Sequence, residues 1–208
     1  MNTLNRPVEN EVQNIFTQSM RAVYFFVIFS CIIFCSIASA EPVDPAADWS
    51  KIEQRMYDDL KTQGGKSEAE IEAAIGHALL MLDNQWERAT VHLKRAVEHD
   101  PKRFMAWYDL GLIYMGSEEG DGYLRKSTEA NPSFAPSFYW LGYTACRIGH
   151  DKDAIVAFEK YLQVAQGSEE ADRIKVATTL LAELRSGKPG VEVEKIRMPG
   201  KSGAVSVE

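Results

Sequence analysis

Cys146 and His150 are the two side chains whose types could do covalent chemistry, a thiol and an imidazole four residues apart. A thiolate nucleophile needs a base within hydrogen-bond reach, and a spacing of four delivers that only along one unbroken helix. Gly149 lies between them and reads as a turn, so the pair is poorly placed for nucleophilic catalysis. The other histidines are His77, His92 and His99. None stands four residues from another or beside a cysteine, so no metal-ligand spacing exists, and helix packing or the surface accounts for His77 and His92. The run Gly116-Ser-Glu-Glu-Gly-Asp-Gly122 is glycine-rich and acidic. It lacks the lysine of a phosphate-binding loop and the alternating acids of a calcium loop, and is read as a turn. No convergent set of polar groups marks a reaction pocket. The expectation is a protein that is not an enzyme and carries no metal or cofactor.

Whatever these residues do, they sit in a chain of two unlike parts. Val23 to Ile37 is almost wholly apolar, Arg21 precedes it, and Ala38-Ser39-Ala40 follows. A positive flank, an apolar run of about 15 residues and a small-x-small site read as a secretory signal over residues 1–40. Met20 is an alternative start that would open a more usual signal. The competing reading is an uncleaved membrane anchor, although the run is short of the roughly 20 apolar residues a span needs. Either way the expected location is the periplasm or the exterior of a bacterial cell. Without residues 1–40, Cys146 is the lone cysteine, so an internal disulfide is impossible and burial is the expectation. Those first residues are neutral on balance, so the remainder, with 21 basic and 28 acidic residues, carries the whole net charge of −7. An acidic body argues against sequence-independent nucleic-acid binding.

Beyond residue 40 the periodicity is helical throughout. Residues 41–66 comprise a Pro/Ala linker and a helix capped by Asp48, with Trp49, Ile52, Met56 and Leu60 on one face and Gly64-Gly65 at its end. Ser67-Glu-Ala-Glu70 is a capping box that opens the next helix. A further helix runs from Asp83-Asn84 to His99, where Asp100-Pro101 closes it. Helices follow over Phe104–Met115, Asp121–Ala130, Ala135–Arg147 and Lys152–Ala165. Ser168 caps a last helix over 169–186, and residues 188–208 read as a flexible tail. Within this run the chain repeats itself. Leu110, Gly111 and Pro101 recur 31 residues later as Leu141, Gly142 and Pro132, and Trp107 and Tyr108 face Phe138 and Tyr139 in the same register.

These residues resemble the tetratricopeptide repeat (TPR) family, whose pattern is W-x2-L-G-x2-Y, then A-x3-F, then P, over about 34 residues. Trp107, Leu110, Gly111 and Tyr114 fill the first block. Phe138, Leu141 and Gly142 repeat it. Ala154 and Phe158 fill the second block, Ala89 and Leu93 fill it with leucine for phenylalanine, and Pro101 and Pro132 supply the closing proline. The resemblance covers residues 67–166 as units 67–101, 102–132 and 133–166. The middle unit is three residues short in its inter-helix turn, since Gly111 to Leu124 is 13 steps where Gly142 to Phe158 is 16. A shortened second helix is one expected consequence. The resemblance implies an all-α solenoid of three helix-turn-helix repeats, flanked by an N-terminal helix and a capping helix over 167–187.

In that family one face of each first helix lines a concave groove. Placed on that face are Met105, Tyr108, Leu112 and Met115, then Tyr139, Tyr143, Cys146 and Arg147, with Ala74, Ala78 and Met81 from the first unit. The implied function is a non-catalytic scaffold that holds a peptide or helix of another envelope protein in an aromatic groove. A TPR subclass clamps C-terminal carboxylates with Lys and Asn, but here Tyr108, Leu112, Tyr139 and Tyr143 hold those positions, so that clamp is absent. Two alternatives stay open: cover of the same stripe by the protein's own terminal helices, and an assembly element tethered by its N-terminus. Oligomeric state is not legible.

Overall fold

A computed structural model describes residues 48–82 and 85–187. The signal or anchor segment, Asp83-Asn84 and the tail 188–208 lie outside these. Among the described residues there are eight α-helices and no strand. They are α1 (Trp49–Thr62), α2 (Glu68–Leu80), α3 (Trp86–His99), α4 (Phe104–Ile113), α5 (Glu118–Ala130), α6 (Ala135–Arg147), α7 (Asp151–Val164) and α8 (Ala171–Arg185), with a 3-10 turn at Ser168–Glu170 before the last. Neighbours pack in pairs: α2 on α3, α4 on α5 and α6 on α7, with α1 laid on α2 and α8 on α7. No described helix is long and apolar enough to cross a membrane.

Side-chain caps account for three of the eight helix starts, at Asp48, Ser67 and Ser117. Asp48 accepts the Lys51 N–H at 3.4 Å. Ser67 and Glu70 form the expected reciprocal box: Glu70 N–H donates to Ser67 Oγ at 3.3 Å and Ser67 N–H donates to Glu70 Oε2 at 2.8 Å. That backbone donor, with Arg103 alongside, holds the Glu70 carboxyl down to about 2. Each hairpin is then closed by one contact. A Cβ built on Gly76 would lie 2.7 Å from Leu93, one on Gly111 2.5 Å from Leu124, and one on Gly142 2.9 Å from Phe158. In all three pairs a large side chain of the second helix sits directly on a bare glycine of the first. Leu93, Leu124 and Phe158 are fully buried by that arrangement, which gathers the apolar area that holds each pair together.

The middle hairpin departs from expectation. Its shortening falls on the first helix: α4 has 10 residues against 13 in α2 and α6, while α5 keeps 13. Residues 118–122, read from sequence as turn, form the first turn of α5. Ser117 caps it by accepting the Gly120 N–H at 3.1 Å, and Glu118, Glu119 and Asp121 suit the positive end of the helix dipole. Gly120 is required here, because a Cβ on it would meet the Tyr114 carbonyl oxygen at 2.2 Å. Backbone cannot swing aside as a side chain can. Gly120→Ala is expected to destabilise the protein by about 1–3 kcal/mol through forced displacement of α5. A urea midpoint equal to that of the wild type would contradict that.

The final helix also starts differently. Ser168 does not cap it; Ser168–Glu170 forms the 3-10 turn, and α8 begins at Ala171 with no side-chain cap. The core falls in two clusters that meet at α4. Ala106 and Leu110 pack with Ile71, Ile75, Leu79, Leu93 and Leu60. Tyr108 and Leu112 pack with Leu124, Tyr139, Trp140, Tyr143, Phe158, Tyr161, Val176 and Leu180. Residues 106 and 110 are four apart, as are 108 and 112, so α4 faces one cluster with each stripe.

Candidate functional site

The stripe expected to line an open groove is largely interior. Tyr108 and Leu112 are 1% exposed, Tyr139 0% and Tyr143 2%, so none of the four presents a face to a partner. The correction has a plain cause: this stripe belongs to the larger core cluster, which also takes in Val176, Ala177, Leu180 and Leu181 of α8. Rings close the interior by edge contacts. Tyr139 meets Trp140 at 5.0 Å and Tyr161 at 5.3 Å between centroids, Trp140 meets Tyr143 at 5.7 Å, and Tyr108 meets Phe134 at 5.2 Å. Burial accordingly drives the Tyr108 phenol well above its ordinary range. Met105 and Met115 are half-buried against the same cluster. Ala74, Ala78 and Met81 are also half-buried. Arg147 is half-buried too, with its guanidinium beside Gly116, where an added Cβ would touch Nε at 2.6 Å.

Cys146 is buried as expected, and burial first, then the nearby Asp151, pushes its thiol up to about 12. That is the wrong direction for a nucleophile, which needs a depressed value. His150 faces elsewhere, with Nε2 3.4 Å from Glu118 Oε1. The structure therefore separates the two residues that could have formed a thiol–imidazole couple.

Two histidines form pairs that spacing could not reveal. His77 Nδ1 of α2 lies 2.9 Å from Asp109 Oδ2 of α4; the Asp109 side chain is 3% exposed and that of His77 15%. His92 Nδ1 of α3 lies 2.6 Å from Glu72 Oε2 of α2, while Arg95 and Glu53 flank the pair. Partners 32 and 20 residues away leave no local signature. Among the described residues no group of three or more His, Cys, Asp or Glu has an arrangement that could hold a metal ion.

A concavity lies beside the aromatic core. An open cleft of about 530 Å³ runs between the start of α6 and the end of α7. Phe134, Ala135, Pro136 and Val164 give it apolar lining, and Ser133, Gln163 and Gln166 add hydrogen-bonding groups. Glu170, 7% exposed, also lines it and accepts from the Tyr161 hydroxyl at 2.7 Å and from Arg173 Nη1 at 2.6 Å. That network ties the 3-10 turn to both α7 and α8 and so holds the wall of the cleft in place. An apolar cleft that also carries carboxamides suits an extended peptide: side chains pack on the apolar lining while Gln amides meet main-chain groups. None of the cleft residues stood out in the sequence, because Phe134, Gln163 and Gln166 fall at helix ends and in a linker. No family model matches the chain, and no curated protein matches it.

Proposed function

We propose that the chain is a TPR-type scaffold of the cell envelope, exported by its N-terminal segment, whose work is to hold a peptide of a partner protein without catalysing a reaction. Three repeats of one hairpin, with α1 before and α8 as a cap after, form its solenoid. The glycine contact that recurs in α2/α3, α4/α5 and α6/α7 favours that reading, since each falls at the family's signature glycine. The buried, unactivated Cys146 favours a binding role over a chemical one.

The observation that carries the binding proposal is the cleft at the α6 start and α7 end. It takes over the role first assigned to the Tyr108, Tyr139 and Tyr143 stripe, which is interior. Gln163 and Gln166 are exposed, so they are replaceable without disturbing the core. The double variant Gln163→Arg/Gln166→Arg should weaken capture of the partner by about tenfold, a loss of one or two contacts in a binding hot region. Val156 of α7, 64% exposed and away from the cleft lining, serves as the control, and Val156→Arg should capture normally. Equal capture by all three proteins in an envelope extract would end the assignment of this cleft.

A further inference from the structure

The first and second hairpins meet across an ionisable bridge between α2 and α4, with Asp109 buried and His77 partly so. At the corresponding positions of the second and third hairpins, one and two residues' shift from the signature glycine, stand the apolar Leu112 and Trp140. The second junction instead carries the uncharged, buried Ser127–Ser137 hydrogen bond at 2.7 Å between α5 and α6, where the first has His77 and Asp109 at 2.9 Å. Among the described residues His77 Nε2 and Asp109 Oδ1 have no hydrogen-bond partner and almost no contact with solvent, so the only hydrogen bond seen there for either ring or carboxylate is the one they share. We propose that His77 and Asp109 are a proton-dependent clamp between the first two hairpins, tight while His77 carries its proton and slack once the proton leaves.

The surroundings leave His77 to respond to Asp109 alone. Three helices pack against α2. On α1, Glu53 is bonded to Arg88, and the Tyr57 hydroxyl is bonded to Glu68. On α3, Arg88, His92 and Arg95 are engaged by Glu53 and Glu72, and Lys94 reaches Glu119. On α4, Arg103 is bonded to Glu70, which leaves Asp109 as the carboxylate that meets the imidazole. Burial alone would lower the affinity of His77 for its proton, but the Asp109 charge and hydrogen bond outweigh it, and the net shift is upward from 6.5. A group raised in the folded state contributes fully below its unfolded value and loses that contribution as pH climbs through its folded value. The clamp therefore weakens from neutral pH upward and does not weaken on mild acidification. Loss of the proton leaves a buried carboxylate facing a neutral ring, which a buried site tolerates poorly.

The test is a double-mutant cycle on the full chain, with His77→Gln, Asp109→Asn and the pair, unfolded by urea at about pH 6 and about pH 9. The cycle cancels the titration of His92, His99 and His150, which all four proteins share. A coupling of several-fold in the unfolding equilibrium constant at the lower pH, collapsing at the higher, is the expected result. Equal coupling at both pH values, or none at either, overturns the clamp. An NMR titration of the His77 ring in the unmutated protein covers the case in which a variant does not fold. A midpoint above that of a free imidazole supports the clamp, and one at or below it overturns it.

Discussion

Replacing Phe158 with alanine should remove about 3–5 kcal/mol of stability. Phe158 has no exposure. Its ring lies on Gly142, makes an edge contact with Tyr139 at 6.2 Å, and belongs to the cluster that joins α6, α7 and α8. The glycine cannot extend to refill the space, and α6 cannot close in without disturbing Tyr139 and Trp140 on the same helix. The cavity should therefore persist and add its own cost to the lost transfer energy. Leu93→Ala and Leu124→Ala, at the same place in the first two hairpins, should fall in the about 2–5 kcal/mol range of leucine truncations. Urea unfolding of the three variants checks the set. A loss below about 1 kcal/mol for Phe158→Ala would mean that the glycine contact is not what closes the hairpin, since so small a change is typical of surface positions.

That contact was legible before any coordinates because it is encoded locally. Glycine in the middle of a helix costs stability, so Gly111 and Gly142, each followed at similar distance by a large apolar residue, signal a close helix approach. Helix starts were legible for the same reason: Asp48 and Ser67 act on residues three positions away. Two starts misled. Ser168 opens a 3-10 turn and not α8, and Gly116–Gly122 contains a helix start disguised by its glycines. In the second, three carboxylates in the first turn and the Ser117 cap outweigh the intrinsic cost of Gly120 and Gly122.

The candidate site was less legible, for a physical reason. Periodicity says which residues share a face; it does not say what covers that face. Tyr108, Tyr139 and Tyr143 fall on the first-helix stripe as expected, yet their interior position depends on a cluster that reaches to Leu184 of α8. Likewise His77, His92, Asp109 and Glu72 are ordinary polar residues until two helices bring them together. Long-range pairing of this kind leaves no trace in spacing.

The other large loss should come from Glu170. Glu170→Ala is expected to cost about 3–5 kcal/mol, because a nearly buried carboxylate that accepts from both the Tyr161 hydroxyl and the Arg173 guanidinium is lost, and hydrogen bonds to charged groups contribute about 1.5–3 kcal/mol each. Arg173 is only 5% exposed, so water cannot readily replace what the carboxylate supplied. Burial, the larger cause of the upward shift of the Tyr161 phenol, persists without Glu170, so the hydroxyl stays neutral and cannot compensate by ionising. The damage should be local as well as large. Glu170 stands where α7 hands over to α8, and α8 starts without a side-chain cap of its own. Amides of α8 should therefore lose hydrogen-exchange protection in Glu170→Ala well before those of α4 and α5 do. Adding Arg173→Met should cost less than the two single changes summed, since both substitutions remove the same Arg173–Glu170 hydrogen bond. Strict additivity would show that the two side chains are neighbours without being energetic partners. In that event the wall of the cleft would owe its position to the Val176, Ala177 and Leu180 packing alone.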